Sequence, residues 1–481
     1  MVFMAPWRVG KTHLLELLGG WEQTDGTAYA ALAARIRLLI IDGRITPGAR
    51  LPSERDLAAS LALSRTTVNA AYTMLRSEGY LQSRQGSGSV AQIPGRPPEL
   101  PLPRPGDIID LSRATCTAAP GTHAAAVRAL DRLPPRLTTD GYELAGLPEL
   151  RVKLAERYSR QGLPTNPEEI FVTSGSQSAI SLVARTFVAP GDRVVVESPG
   201  YPHAFSALRA AGARLLPFRM DASAGWDVDG FDLAVRRSVP TLAFLMPDFH
   251  NPTSRSMTID ERRRVVATAE AHGMVVVSDE ATAELALDGQ DALPPIASFA
   301  HRPGSVIVIG SASKTVWGGL RVGWVRTSVE NVDRLIAARM ANDLGAAVID
   351  QLVYSEMLTD FEPVLEFRRD ALRASRDALQ SALSTLLPSW TMSPTRGGIA
   401  SWVKLDEPVS SAMTIAARAR GLLIGAGPWF GLDGEFEQFI RVPITVGTEA
   451  IERAVEILAD AEDDVHLGSH AGTYPVGARR L

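Results

Sequence analysis

Lys314 sits in the run SASKTVWGGLR, residues 311–321, with Ser311 and Ser313 before it and Arg321 seven positions after. A lysine that only stays charged at a surface needs no such company. An amine that condenses with a carbonyl beside a phosphate, the phosphate being held by hydroxyls and a guanidinium, uses all of it. Taken alone the run is weak, because serines near a lysine are common on surfaces.

Five further segments each meet a different need of one cofactor, pyridoxal 5'-phosphate. FVTSGSQSAISL, 171–182, reads as strand, small-residue turn and helix, so the free amides of Gly175, Ser176 and Gln177 form an anion site for the phosphate. ESPGYPH places Tyr201 after a strand, where its ring can stack on a pyridine. HNPTS puts Asn251 in a turn, suited to donating to a phenolate oxygen. GMVVVSDEA ends on Asp279, whose carboxylate can pair with a protonated ring nitrogen and turn the ring into an electron sink. FIRVPIT sets Arg441 in an apolar strand, and a buried arginine needs an anion such as an amino-acid carboxylate. Each segment also has a plain structural reading: a helix cap for Asp279, core packing for Tyr201, an internal ion pair for Arg441. None of them asks for a metal.

These residues need a scaffold. The runs RVVVES, TLAFLM, GMVVVSD and SVIVIGS are short, β-branched and followed by loops or helices, the rhythm of an α/β fold with a mostly parallel sheet covered on both faces. Upstream, IPGRPPELPLPRPG holds six prolines and cannot continue a helix, which predicts a semi-rigid linker over 91–106. The linker is expected to separate two domains, with a loose Gly-rich tail over 463–481.

The segment before the linker is basic. Residues 28–90 carry eight arginines, no lysines and four acids, +4 in a chain whose net charge is −5. A basic module on an acidic body points to a polyanion as partner of the module alone. In LPSERDLAASLALSRTTVNAAYTMLRSEGYLQSRQGSGSV, Ser53 and Ser64 stand where two helices need caps. Val68, Ala71, Tyr72 and Leu75 form the buried stripe of the second helix, with Arg65, Asn69, Thr73 and Arg76 on its other face. A short helix pair with arginine and amide groups near the second start fits a major-groove reader. LQSRQGSGSV follows as a hairpin, with Gly86 and Gly88 at a tight tip carrying Arg84.

The order LPSER, SRTTV, LRSEGYL, RQGSG closely resembles the winged helix-turn-helix of GntR-type transcription regulators over about 28–90. The resemblance implies DNA contacts from Arg55, Arg65, Thr67 and Arg84, with Thr66, Asn69 and Gly86 close by. The cofactor segments in their order resemble the fold type I (aspartate aminotransferase) superfamily over about 107–462. That resemblance implies homodimers with shared sites, and YELAGLPELR would place Tyr142 near the phosphate of the neighbouring subunit. The two together resemble the MocR architecture of bacterial regulators. Such a protein binds operator DNA and senses pyridoxal phosphate, or an amine or amino acid that reacts with it.

Three positions depart from the family pattern. Ala281 replaces a tyrosine that helps hold the phenolate oxygen, Ser254 replaces a glycine, and Gly318 replaces a proline. The first puts full transamination in doubt and leaves cofactor binding expected. A working aminotransferase with an autoregulatory reader, and a cofactor-free dimerisation scaffold, are the competing expectations.

Composition sets the frame. Hydrophobic residues make up 45% and charged residues 21% of 481, ordinary for a globular chain. The single cysteine, Cys116, rules out an intramolecular disulfide framework. No apolar run reaches membrane-spanning length, and MVFMAPWRVGKTHLLELLGG lacks the layout of a secretion signal, so a cytoplasmic protein away from membranes is expected. VGKTH, 9–13, lacks the earlier glycine of a nucleotide-binding phosphate loop, with Ala5 in its place.

Overall fold

The computed structural model describes residues 11–19, 27–41, 44–45, 49–84, 88–91, 108–289 and 293–470. They fall into two compact units, one drawn from residues 1–110, 407–438 and 460–481, the other from 111–406 and 439–459. Residues 407–438, inside the expected 107–462 domain, group with the first unit. Part of the reason is a backbone pairing: Ile109–Asp110 lies parallel to Leu422–Leu423, tying the 407–438 segment to the first unit. The linker and Gly86 lie outside the described residues, apart from Ala91 at the linker's start. The last helix, Thr448–His470, runs past the expected start of the tail at 463. Ile451, Val455 and Leu458 give it a buried face.

In the first unit, helices α1 (Lys11–Leu18), α2 (Ala28–Ile41), α3 (Glu54–Leu61) and α4 (Arg65–Ser77) precede an antiparallel hairpin, β1 (Leu81–Arg84) and β2 (Gly88–Ala91). Ser53 Oγ accepts from the Asp56 amide and Ser64 Oγ from the Thr67 amide, so both helices start on side-chain caps. Ala62, at φ 54°, makes the left-handed step between them. Leu57, Val68, Ala71, Tyr72 and Leu75 are buried together with Leu32 and Ile36 of α2. Each large apolar side chain there contributes about 1.5–3 kcal/mol by leaving water. The Tyr72 hydroxyl, fully buried, donates to Pro52 O at 2.9 Å, which satisfies its polar end.

The second unit is built on an eight-stranded sheet: β3 (Ile170–Thr173), β4 (Arg193–Ser198), β5 (Arg214–Asp221), β6 (Gly225–Trp226), β7 (Leu242–Leu245), β8 (Val275–Asp279), β9 (Val306–Ser311) and β10 (Gly323–Arg326). Its order is β3-β10-β9-β8-β7-β4-β5-β6. The pairs β9·β8, β8·β7, β7·β4 and β4·β5 are parallel, and β10 runs against both β9 and β3. Strands such as β7 are buried at every position, which explains their unbroken apolar runs. The parallel order brings Ser198, Asp279 and Ser311 to the carboxyl ends of their strands, the edge where open α/β sheets bind ligands. A smaller antiparallel sheet pairs β11 (Ala400–Lys404) with β12 (Phe439–Pro443), Trp402 opposite Arg441.

Candidate functional site

The turn after β3 makes the anion cradle. Gly175, at φ 85° and ψ 162°, caps helix α5 (Ser176–Phe187), and a Cβ there would meet Arg321 Nη2 at 2.7 Å. A Cβ on Gly323 would lie 2.5 Å from the Ser176 amide nitrogen, so two glycines let β10 and Arg321 close on the helix start. Arg321 donates to Ser174 O at 3.0 Å, which points the guanidinium into that turn. Ser311 Oγ donates to Ser313 Oγ at 2.9 Å and accepts the Ser313 amide at 3.2 Å. The helix start and the guanidinium thus meet at one turn, and the pairing of Ser311 with Gly323 brings the serine pair to the same end of the sheet.

Lys314 lies in a π-helical turn, Ser313–Trp317, directly after β9. Burial holds its ammonium below the usual lysine range, with Arg441 lowering it further and the nearby Cys116 and Asp279 opposing. Its Nζ donates to Ala114 O at 2.8 Å. Asp279 ends β8 almost fully buried, and burial pushes its carboxyl up to about 6, against the Ala281 amide and Lys314. Tyr201, just before helix α6 (Pro202–Ala210), feels both Asp279 and Arg441, and burial pushes its phenol up to about 12. Asn251 is buried, and its Oδ1 has no hydrogen-bond partner. A half-turn of that amide presents its NH2 instead. Gln177 Nε2 donates to His203 O at 3.2 Å while its Oε1 is likewise unpartnered. Arg441 is buried and donates through Nη2 to Ser112 O. Tyr142 is 62% exposed, its amide donating to Asp140, and no contact joins it to Lys314.

These residues fit pyridoxal phosphate. Orphaned buried amide oxygens on Asn251 and Gln177, and a cradle that a single Cβ on Gly175 would fill, are features of a built ligand site. The departures also gain a physical account. Ser254 holds φ 60°, the region that favours the family's glycine, and its hydroxyl bonds Ala400 O. A Cβ on Gly318 would meet nothing within 4 Å, and its φ of −63° is one that proline adopts. Ala281 keeps only its amide bond to Asp279, at 3.1 Å. Thr282 does not stand in for the lost phenol, since its hydroxyl donates to Asp248 O and Phe249 O.

Sequence reasoning missed a buried layer next to the site. Glu197 accepts from Trp226 Nε1 at 2.7 Å and the Met246 amide at 2.8 Å, and lies 3.4 Å from His250 Nε2. Both Glu197 and His250 flank quoted site residues, Tyr201 and Asn251, yet only their burial marks them.

In the reader, Arg55, Arg65, Thr66 and Asn69 are exposed and Thr67 is half-buried. Asn69 Nδ2 donates to Glu54 at 3.2 Å, and the Thr67 hydroxyl shares the Ser64 cap at 2.8 Å. Arg84 pairs with Gly88 across the hairpin. Arg76, placed on the outward face by periodicity, is instead half-buried: it donates to Glu54 Oε1 at 2.6 Å and Ser89 Oγ at 3.3 Å. Its length lets the guanidinium fold back onto α3 and the hairpin.

A mostly parallel α/β sheet with a lysine, an aspartate and a phosphate cradle at its carboxyl edge defines a pyridoxal-phosphate domain of the aminotransferase type. The family described as aminotransferase class I and II matches residues 111–458, and bacterial regulatory proteins of the gntR family match residues 28–90. The chain belongs to the class I and II aminotransferase family and carries a GntR-type reader before it, which is the MocR architecture. It is 29% identical to the HTH-type pyridoxine biosynthesis transcriptional regulator PdxR of Corynebacterium glutamicum, over 91% of this chain and 96% of that protein. It is 31% identical to the 2-aminoadipate transaminase of Thermus thermophilus, over 61% of this chain and 75% of the enzyme. The crystal structure of the α-aminoadipate aminotransferase LysN, from the same species, superposes with a TM-score of 0.69 at 27% identity, covering 75% of this chain and 93% of that one. Among the described residues, no helix is long and apolar enough to cross a membrane, and no group of side chains could hold a metal.

Proposed function

We propose that this protein is a DNA-binding transcriptional regulator that uses pyridoxal 5'-phosphate in its larger domain to sense an amine or amino acid. The reading is carried by a buried lysine whose ammonium burial holds below the usual lysine range, electrostatically linked to Asp279 and Arg441, in a chain that also presents Arg55 and Arg65 on a capped helix pair.

When bound, the cofactor supplies an aldehyde for primary amines and an electron-withdrawing ring. Lys314 would hold it through its amine, and Gly175, Ser176, Gln177, Ser311, Ser313 and Arg321 would hold its phosphate. Tyr201 would cover the ring, Asn251 would donate to its phenolate oxygen, and Arg441 would take the effector's carboxylate. Asp279 is ionised above about pH 6, so at neutral pH it offers a negative charge to the ring nitrogen. With Ala281 in place of a phenol, one donor at the phenolate oxygen is gone. The loss of a single oriented donor lowers rates by about 10²–10³-fold in other sites. Effector binding loses less, because the phosphate ligands and Lys314 remain. The site therefore suits recognition better than turnover. The exposed Tyr142 fits a homodimer in which it reaches the partner's phosphate.

The test is covalent fixation. Borohydride treatment of the full chain with pyridoxal phosphate should fix cofactor on the peptide carrying Lys314, and Lys314→Ala should abolish it. Fixed cofactor persisting in that variant would refute the assignment.

A further inference from the structure

Arg368 belongs to none of the motifs that define the site, yet it is 3% exposed and its guanidinium donates to three backbone carbonyls. From the helix Glu362–Leu386 its Nε donates to Thr315 O at 3.2 Å, and its Nη2 donates to Val316 O at 3.0 Å and Thr117 O at 2.7 Å. Thr315 and Val316 are the two residues after Lys314. Thr117 closes a segment whose other carbonyls face the site: Ala114 O takes the Lys314 amine and Ser112 O takes Arg441. The Ala119 amide donates to Val316 O at 2.9 Å, stitching the segment to the lysine turn a second time. The turn itself needs outside support. Its π-helical hydrogen bonding is uncommon, and buried carbonyls left without donors are costly.

We propose that Arg368 is a positioning residue of the cofactor site: it grips the lysine turn and residues 112–117 at once and so fixes where the Lys314 amine points. This rests on the reading of Lys314 as the cofactor lysine. A guanidinium suits the task because one rigid fork serves three carbonyls, which a lysine's single nitrogen does not reproduce. Cys116, buried between the fields of Arg368 and Lys314, lies in the gripped segment. The arginine acts through the backbone and touches no reacting atom.

Arg368→Lys and Arg368→Met, with the unaltered chain beside them, decide the matter. Two quantities are followed: the rate at which pyridoxal phosphate becomes borohydride-fixable on Lys314, and the pH midpoint of the bound cofactor's visible absorbance. Both variants should capture cofactor about ten- to a hundredfold more slowly, the range that ångström-scale misplacement produces, with a displaced midpoint. An arginine that only stabilises the fold would lower thermal stability and leave rate and midpoint unchanged, and that result overturns the proposal. If neither variant folds, amide exchange in the unaltered chain decides. Peptides covering 112–119 and 311–318 should gain protection together when pyridoxal phosphate is added, and independent exchange contradicts the clamp. Failure of the unaltered chain to capture cofactor on Lys314 sinks the site reading itself and the clamp with it. Normal capture in Arg368→Lys sinks only the clamp.

Discussion

Asp279 concentrates the electrostatics of the site. Its carboxyl titrates near 6 in the fold against 3.8 when solvated, because burial outweighs the help of the Ala281 amide and Lys314. The folded protein therefore binds the proton more tightly than the unfolded chain. Without cofactor, stability should be highest at or below about pH 4 as far as this group is concerned, and should fall as pH rises from about 4 to 6. The loss is on the order of 3 kcal/mol. Asp279→Asn should flatten that segment of the stability curve and raise cofactor-free stability at pH 7. Urea unfolding at several pH values checks it, and an unchanged slope would place the titration elsewhere. Asp279 was legible in sequence because a carboxylate closing an apolar strand is a local pattern. Glu197 and His250 were not, because only tertiary burial distinguishes them from surface residues.

The Ser53 and Ser64 caps and the stripe of α4 follow from local spacing, and the hydrogen bonds to Asp56 and Thr67 occur as that spacing requires. The same periodicity misplaced Arg76, since a helical wheel records the direction of Cβ and says nothing of where a long side chain returns. The two arginines should thus separate. Arg65→Ala should weaken specific DNA binding by about 1–3 kcal/mol if it meets a base edge, with little effect on folding. Arg76→Ala should chiefly destabilise the reader, by removing a half-buried pair with Glu54. Parallel DNA titration and thermal melts of both variants distinguish them. At the cofactor cradle, Gly175→Ala places a side chain at φ 85° and ψ 162°, a region kept almost wholly to glycine, and strain of about 1–3 kcal/mol follows. Its Cβ also pushes Arg321 aside, so half-saturation by pyridoxal phosphate should move to higher concentration. An unshifted titration would remove Arg321 from the cradle. The π-helical turn at Ser313–Trp317 had no sequence signal, because it depends on carbonyl partners supplied from distant segments.

At the scale of the whole molecule, the chain joins a small module of charge +4 to a body that carries the remaining negative charge. The reader's attraction to DNA is thereby confined to that module, and its affinity should fall steeply with salt. Both families were legible because their motifs are short and local. The division into compact units was not, since the Ile109–Asp110 pairing with Leu422–Leu423 joins segments about three hundred residues apart. Under the proposed function, cofactor chemistry at Lys314 governs DNA binding. The most direct measurement is the affinity of the full chain for a duplex that it selects from a random pool, titrated with pyridoxal phosphate and with amino acids while cofactor absorbance is followed. Affinity and absorbance should change at the same ligand concentrations, Lys314→Ala should lose both responses, and no keto acid should accumulate over many turnovers. DNA affinity indifferent to cofactor and amine, together with sustained keto-acid production, would contradict it.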